Sequence, residues 1–401
     1  GITSLRLNNN KLIWLSPTFG NLTNLTELFI KWGNNKLLSL PDNFWDLRNL
    51  GFQATTQSSQ TLDLSEQALS SLPPGFGQFP WLYELNLSDN NLTSLPPWFG
   101  NMPRLWILKI QNTKLNSNGR TIGWISWALP DSFTGMTSIY LMNLAGNDIT
   151  SLGAFLQSTT WTNWMYLDIS DNAITSLPEN IGNIRIQSIE LHTNKLSTLP
   201  DSFSKIPLYW LKLDNNDVLT HLPESFSGMT TLTKLDMNNT AIVHLPRDFD
   251  KLRNLVELNI QDGELEDLPD SFGKLPKLER LDLGGNKIKY LPENFGNLQK
   301  LTMLRLYGNS LWEDPNKTPI PDSFANLKIT EIQLSQNKLK TIPASITTMN
   351  SVTNLDLEDN YLESLPEGLG NMTNLSKLNL TNSPSLSKLP NDFAKLLNLT
   401  Q

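Results

Sequence analysis

The chain of 401 residues carries 39 acidic and 31 basic side chains, which gives a formal net charge of −8 at pH 7, and it contains no cysteine. An acidic surface repels nucleic acid and anionic lipid, so neither is expected as a partner. The absence of cysteine excludes a disulfide framework and a cysteine nucleophile. No run of 18 apolar residues occurs, so no direct membrane insertion is expected.

One pattern begins with the first residues and returns along the whole chain. Its first copy runs from Ile2 to Phe19. Its clearest copy, from Leu278 to Leu301, has the spacing Leu-x-x-Leu-x-Leu-x-x-Asn and ends in Leu-Pro-x-x-Phe. Leu281 and Leu283 alternate with Asp282, which predicts a short strand with both leucines buried and the aspartate exposed. Because no single copy can bury its own leucines, the copies are expected to stack.

Two positions keep this register through sixteen copies, which we call coils. At the first, a side-chain amide is expected to bond peptide groups of neighbouring coils. This position holds Asn10, Asn35, Gln67, Asn90, Thr113, Asn147, Asn172, Asn194, Asn216, Thr240, Gly263, Asn286, Asn309, Asn337, Asn360 and Ser383. At the second, a large side chain is expected to fill the core opposite the strand. This position holds Phe19, Phe44, Phe76, Phe99, Phe133, Leu156, Ile181, Phe203, Phe226, Phe249, Phe272, Phe295, Phe324, Ile346, Leu369 and Phe393.

The pattern resembles the typical class of the leucine-rich-repeat superfamily, with repeats of 22–24 residues of the Leu-Pro-x-x-Phe kind. The resemblance implies an α/β-type leucine-rich-repeat solenoid, a right-handed horseshoe with a parallel β-sheet on its concave face. The convex face is expected to be irregular or to form short 3-10 turns. The resemblance also implies a single solenoid domain over residues 1–401 with about 16 coils, and no terminal cap is seen in the sequence. The chain resembles bacterial or protist surface members of the superfamily.

Three stretches interrupt the regular spacing and are expected to form surface loops: 51–59, 116–127 and 311–319. The last two leave the repeat at the same point of their coils, so both are expected on one rim of the sheet. The 116–127 stretch contains Trp124 and Trp127, which have no role in the repeat pattern. A binding rim and drift in a tolerant loop both explain these insertions.

No enzyme signature occurs, since the zinc-protease His-Glu-x-x-His, the Gly-x-Ser-x-Gly elbow and a phosphate-binding Gly-rich loop are all absent. His221, His244 and Asp267 each precede a Leu-Pro pair in successive coils, so stacking predicts one surface column. Such a column could share a metal, but the sequence offers it no fourth ligand and no supporting groups. A solvated polar column is therefore favoured, and no metal, other cofactor or enzymatic activity is expected.

Apolar side chains on the strand face form the candidate ligand site. At the first outward position of each strand most coils carry Glu, Lys, Arg, Thr or Asn, but coils five to nine carry mainly large apolar residues. Such side chains favour a contact patch, and partial burial against the next coil is the alternative. Half of the chain's 12 tryptophans also lie between Trp98 and Trp164. With the 116–127 loop included, the predicted ligand-binding residues are Ile107, Leu141, Tyr166, His192, Trp210, Trp124, Trp127, Met303 and Tyr307.

The sequence favours a non-enzymatic module that recognises or adheres to another protein, or to a glycan, through the concave face and one rim. The competing hypothesis is a structural segment of a long surface or filament-forming protein that self-associates through its ends. Leu5, Leu7 and Leu396 lie at the ends of the array, where core side chains would be exposed to water. Caps or further coils are therefore expected beyond residues 1 and 401. Ten Asn-x-Ser/Thr triplets and the lack of cysteine favour a secreted or cell-surface location, with a cytoplasmic scaffold as the alternative.

Overall fold

The computed structural model describes residues 1–30, 34–50, 61–77, 79–113, 131–152, 165–312 and 317–400. The predicted loops 51–59 and 116–127 lie outside these residues, as do residues 313–316 of the third loop. The chain divides into two compact units, Gly1–Leu196 and Ser197–Gln401. Both units are built from the same kind of coil, in which a short strand is followed by a turn and an extended or 3-10 return segment.

Each strand is short because the chain turns at the asparagine position, only a few residues after the inward residue of the strand. The middle residue of a three-residue strand points into the core, and its two neighbours point outward. The sixteen strands of the described residues are β1 (Ser4–Arg6), β2 (Glu27–Phe29), β3 (Thr61–Asp63), β4 (Glu84–Asn86), β5 (Ile107–Lys109), β6 (Leu141–Asn143), β7 (Met165–Asp168), β8 (Ile186–Glu190), β9 (Trp210–Lys212), β10 (Lys234–Asp236), β11 (Glu257–Asn259), β12 (Arg280–Asp282), β13 (Met303–Arg305), β14 (Glu331–Gln333), β15 (Asn354–Asp356) and β16 (Lys377–Asn379).

Strands within each unit follow one another in chain order and pair in parallel. In the first unit β1 pairs with β2, and a second ladder runs from β3 to β8. In the second unit the ladder runs from β9 to β16. The pairing aligns equivalent residues, so that Leu258, Leu281 and Leu304 lie side by side. The predicted parallel sheet of a leucine-rich-repeat solenoid is confirmed.

The return segments contain short 3-10 turns, as predicted. All helical segments of the described residues are 3-10 turns of three to five residues: Phe19–Asn21, Phe44–Asp46, Asp131–Gly135, Ile181–Asn183, Asp201–Lys205, Glu224–Gly228, Phe249–Lys251, Phe272–Lys274, Phe295–Asn297, Asp322–Asn326, Ala344–Thr348, Leu369–Asn371 and Phe393–Lys395. In the part of the chain that the structure describes, no helix is long and apolar enough to cross a bilayer.

The core of each coil lies between the strand and the return segment. Leu281 and Leu283 are fully buried behind β12, and Phe295 closes the opposite side. The Phe295 ring stacks on Phe272 at 6.3 Å and on Phe324 at 6.0 Å, with interplanar angles of 3° and 6°. Stacked coils therefore bury both the leucines and a continuous column of phenylalanine rings, which no single coil could do.

The asparagine position forms the expected ladder between coils. Asn286 accepts a hydrogen bond from the Leu265 N–H of the preceding coil at 3.1 Å. Its amide nitrogen donates to the Ile260 carbonyl of that coil at 2.5 Å and to the Leu283 carbonyl of its own coil at 3.1 Å. Asn309 and Asn360 repeat this arrangement. These bonds satisfy peptide groups that would otherwise be buried without partners where the backbone leaves the sheet.

Candidate functional site

The strand face of the first unit brings three predicted site residues side by side. Register pairing places Ile107 beside Leu141, and Leu141 beside Tyr166. All three are half-buried, and the flanking coils hold Glu84 and Ser188 at the same position. Neighbouring parallel strands lie about 4.7–4.9 Å apart, so the three side chains are adjacent. We call Ile107, Leu141 and Tyr166 the apolar row.

Two carboxylates border the Tyr166 end of the apolar row. Asp168 ends β7 and accepts hydrogen bonds from the Ser170 N–H at 3.1 Å and the Ser170 hydroxyl at 2.6 Å. Glu190 ends β8 and is only 7% exposed. Burial, and then the charges of Asp168 and Glu190, raise the pKa of Tyr166 to about 12. The phenol therefore stays protonated near neutral pH, and the potential around it is negative.

The remaining predicted residues of the first unit do not join the apolar row. His192 lies two residues beyond Glu190, is half-buried, and places its Nδ1 atom 3.3 Å from the Thr193 hydroxyl. Trp124 and Trp127 lie outside the described residues. Their part in any site stays a prediction.

An aromatic stack that the sequence reasoning missed lies one residue before the strands. The rings of Tyr83 and Trp106 stack with centroids 5.9 Å apart, and those of Trp106 and Tyr140 with centroids 5.0 Å apart. Tyr83 and Tyr140 are each 41% exposed. We call these three residues the rim stack. The signal was available, because all three occupy the same position of successive coils, immediately before β4, β5 and β6.

In the second unit, Trp210 is held in a polar network. It is 38% exposed, and its indole N–H donates to the Asp236 carboxylate at 2.7 Å. The amines of Lys212 and Lys234 lie 4.1 and 4.8 Å from the centre of its ring system. Lys234 also pairs with Glu257 at 3.0 Å. Trp210 therefore combines partial exposure with a fixed orientation, and cations already occupy positions against its ring.

The prediction that Asp282 is exposed is wrong, because its side chain is only 1% exposed. It accepts hydrogen bonds from Gln261 of the preceding coil at 2.6 Å and from Arg305 of the following coil at 2.9 Å. The hydrogen bond to Asp282 raises the pKa of the Arg305 guanidinium. Long polar side chains from both neighbouring coils thus cover a residue that the alternation within its own strand places outward.

Met303 and Tyr307 lie on either side of Arg305, and both are half-buried. The Tyr307 ring lies against Gly284, where an added Cβ would collide with it. Burial, followed by the charges of Asp282 and Asp262, raises the pKa of Tyr307. Trp210 belongs to β9 and Met303 to β13, with three strands between them. The structure therefore does not bring Trp210 into one patch with Met303 and Tyr307.

The predicted histidine column is present on the surface of the second unit. His221 and His244 form an isolated parallel bridge, and the Nδ1 atom of His244 lies 3.0 Å from Asp267. Within the described ranges, no group of three or more His, Cys, Asp or Glu residues is arranged to hold a metal ion. The column is a polar surface feature that includes one histidine–aspartate pair.

Comparisons with known proteins agree with this architecture. The Leucine rich repeat family matches residues 59–115, 206–265 and 253–311. A leucine-rich-repeat protein of Leptospira interrogans is 24% identical, with a TM-score of 0.54, over 98% of this chain and 88% of its own. An internalin of Listeria monocytogenes is 19% identical, with a TM-score of 0.55, over 79% of this chain and 85% of its own. No curated protein sequence matches the chain significantly.

A plant receptor kinase ectodomain shares the fold over part of its length. The ectodomain of GASSHO1/SCHENGEN3 from Arabidopsis thaliana is 23% identical, with a TM-score of 0.57, over 98% of this chain. The match covers 48% of the plant chain, so the present chain spans about half of that ectodomain. At such identities the solved structures show a common fold. The family matches fall on coils in which the structure also contains the parallel strands and the asparagine ladder, so these coils are leucine-rich repeats.

Proposed function

We propose that the chain is a non-enzymatic binding protein that recognises another protein through the outward face of its strands. The observation that carries this proposal is the apolar row, in which Ile107, Leu141 and Tyr166 lie in register on three adjacent strands. Side chains of this kind, held half-exposed on a rigid sheet, lose little conformational entropy when a partner covers them. The ectodomain of the plant receptor kinase, which shares the fold, was solved in complex with CASPARIAN STRIP INTEGRITY FACTOR 2, and this supports a binding function for a protein of this fold.

A protein ligand is favoured over a glycan by the surroundings of Trp210. Sugars bind aromatic side chains by stacking on an open ring face. The amines of Lys212 and Lys234 lie 4.1 and 4.8 Å from the Trp210 ring centre, so a sugar there would have to displace them. The row of Ile107 and Leu141 is aliphatic and suits burial against apolar side chains of a protein. We extend the proposal to recognition or adhesion at a cell surface or in a secreted state.

The test compares variants in which each substitution copies another coil. Leu141→Glu reproduces Glu84, and Tyr166→Ser reproduces Ser188, which are the residues at the same strand position of nearby coils. The wild-type chain is immobilised, incubated with surface proteins of the source organism, and the retained protein is identified by mass spectrometry and purified. We expect each variant to weaken its binding by about 1–4 kcal/mol while the melting temperature is preserved.

Tyr361→Ser is the control, because Tyr361 is 56% exposed and lies beyond the strand, at the turn after the asparagine position. We expect this variant to bind as tightly as wild type. Equal binding by wild type, Leu141→Glu and Tyr166→Ser would refute recognition through the apolar row. If the wild type retains no specific protein, the proposed binding function itself is refuted.

A further inference from the structure

The rim stack occupies a position that has a different role in other coils. At this position Thr233, Thr302 and Thr353 each donate a hydroxyl hydrogen bond to the carbonyl of the equivalent residue one coil earlier, at 2.8, 3.0 and 3.2 Å. Tyrosine and tryptophan have no β-hydroxyl group and cannot make this bond. In coils four to six, three large aromatic side chains therefore take the place of a small side chain whose hydroxyl group is hydrogen-bonded to the coil before it.

The backbone holds the rim stack in place. The N–H of Trp106 donates to the Tyr83 carbonyl at 2.8 Å, and the N–H of Tyr140 donates to the Trp106 carbonyl at 2.9 Å. The rings are nearly parallel, with interplanar angles of 8° and 11°, so each ring limits the rotation of the next. The stack therefore presents a fixed aromatic ridge, in which Tyr83 and Tyr140 are each 41% exposed. A ridge of this kind loses little side-chain entropy on binding.

The rim stack is continuous with the apolar row. Trp106 directly precedes Ile107, and Tyr140 directly precedes Leu141, so the two features share their coils and their strands. The N–H of Tyr166 also donates to the Tyr140 carbonyl at 2.7 Å, which places the end of the apolar row beside the end of the stack. Together these residues make one continuous surface of aromatic and aliphatic side chains.

The charge beside this surface is negative. Among the residues of β3 to β8, the acidic side chains are Asp63, Glu84, Asp168 and Glu190, and the basic side chain is Lys109. Lys109 pairs with Glu84 at 3.0 Å, so its charge is compensated within the surface. An approaching cation is therefore attracted to the Asp168 and Glu190 side, and an anion is repelled.

We propose that the rim stack and the apolar row together receive a protein segment that carries apolar side chains next to lysine or arginine. The apolar side chains cover the rings and the aliphatic residues, and the basic side chain reaches Asp168. This inference rests on the proposed function and adds the chemistry of the partner and the rim stack as part of its site. A nucleic acid or an acidic segment does not fit, because both would meet the carboxylates.

A displayed library of short random peptides is the probe. It is selected on the immobilised wild-type chain, and the affinities of the enriched peptides are then measured for Leu141→Glu and for two further variants. Trp106→Thr reproduces the residue of Thr302, and its new hydroxyl can donate to the Tyr83 carbonyl. Asp168→Asn reproduces Asn143 and Asn86, which accept the same turn N–H at 3.0 and 3.1 Å, and removes only the charge. Thermal melts confirm that both variants fold.

We expect the enriched peptides to combine apolar residues with lysine or arginine. Trp106→Thr should weaken their binding by roughly tenfold or more, and Asp168→Asn should weaken it and reduce its salt dependence. Peptides without basic residues, undiminished binding by Trp106→Thr, or no enrichment at all would overturn the inference. If the peptides keep their affinity for Trp106→Thr but lose it with Leu141→Glu, the inference about the rim stack fails while strand-face recognition stands. If the peptides keep their affinity for both Trp106→Thr and Leu141→Glu, both the inference and strand-face recognition are contradicted.

Discussion

The asparagine ladder shows how one side chain can connect two coils. A neutral amide has two N–H donors and a carbonyl with two lone pairs, so Asn286 can bond the Leu265 N–H, the Ile260 carbonyl and the Leu283 carbonyl together. Thr113 replaces asparagine in its own coil and is bonded by the asparagine of the next coil. Both the N–H and the hydroxyl of Thr113 donate to Asn147, at 3.0 and 2.8 Å. The ladder position therefore depends on its neighbours as well as on its own residue.

Replacing Asn286 with alanine should lower the free energy of unfolding by about 1–3 kcal/mol, because it leaves buried peptide groups without partners. The control is Asn326→Ala. It makes the same substitution at an asparagine that is exposed in the 3-10 turn Asp322–Asn326. Chemical denaturation of the three proteins measures the difference. Similar losses from Asn286→Ala and Asn326→Ala would contradict a stabilising role for the ladder.

At the scale of the element, glycine in the 3-10 turns sets how closely the return segments pack. Gly296 lies in the turn Phe295–Asn297, and a Cβ added there would collide with the Ser323 carbonyl of the next coil. Gly228, at the end of Glu224–Gly228, has room, because its nearest neighbour would be the Ser204 Cβ at 3.9 Å. The same residue type thus has a packing role in one turn and none of that kind in another.

Gly296→Ala should destabilise the chain by about 1–3 kcal/mol, the usual effect of adding a methyl group to a tightly packed site. Gly228→Ala should be neutral or slightly stabilising, because alanine restricts the unfolded chain more than glycine does. Thermal melts of both variants beside wild type test this contrast. A lower melting temperature for Gly228→Ala than for Gly296→Ala would show that the contact with Ser323 is not limiting.

The elements were predictable to different degrees for physical reasons. The period of the leucines, asparagines and phenylalanines lies within one coil, so the strands, the ladder and the 3-10 turns could be read from the sequence. The burial of Asp282 could not, because Gln261 and Arg305 of neighbouring coils cover it. The close approach at Gly296 depends in the same way on the backbone of the next coil.

At the scale of the whole molecule, the candidate site was predicted only in part. Ile107, Leu141 and Tyr166 share one strand position, and the register alone placed them together. The rim stack was missed because its residues precede the strands and lie outside the alternating pattern that identifies outward side chains. The network around Trp210 was missed because the alternating pattern gives outward direction but not which charged side chains will meet the ring.

Stability in a stacked array is expected to be local, because each coil contacts only its neighbours. Within the second unit, Asn337 accepts from the Leu311 N–H at 3.1 Å and donates to the Leu306 carbonyl at 3.0 Å. Asn337→Ala should therefore speed amide hydrogen exchange in β13 and β14, while β9 and β10 keep wild-type protection. Hydrogen–deuterium exchange followed by mass spectrometry makes the comparison, with Asn326→Ala as the control for a surface asparagine. Equal acceleration along β9 to β16 would show that these eight strands open as one cooperative body, and the nearest-neighbour description would then be wrong for this unit.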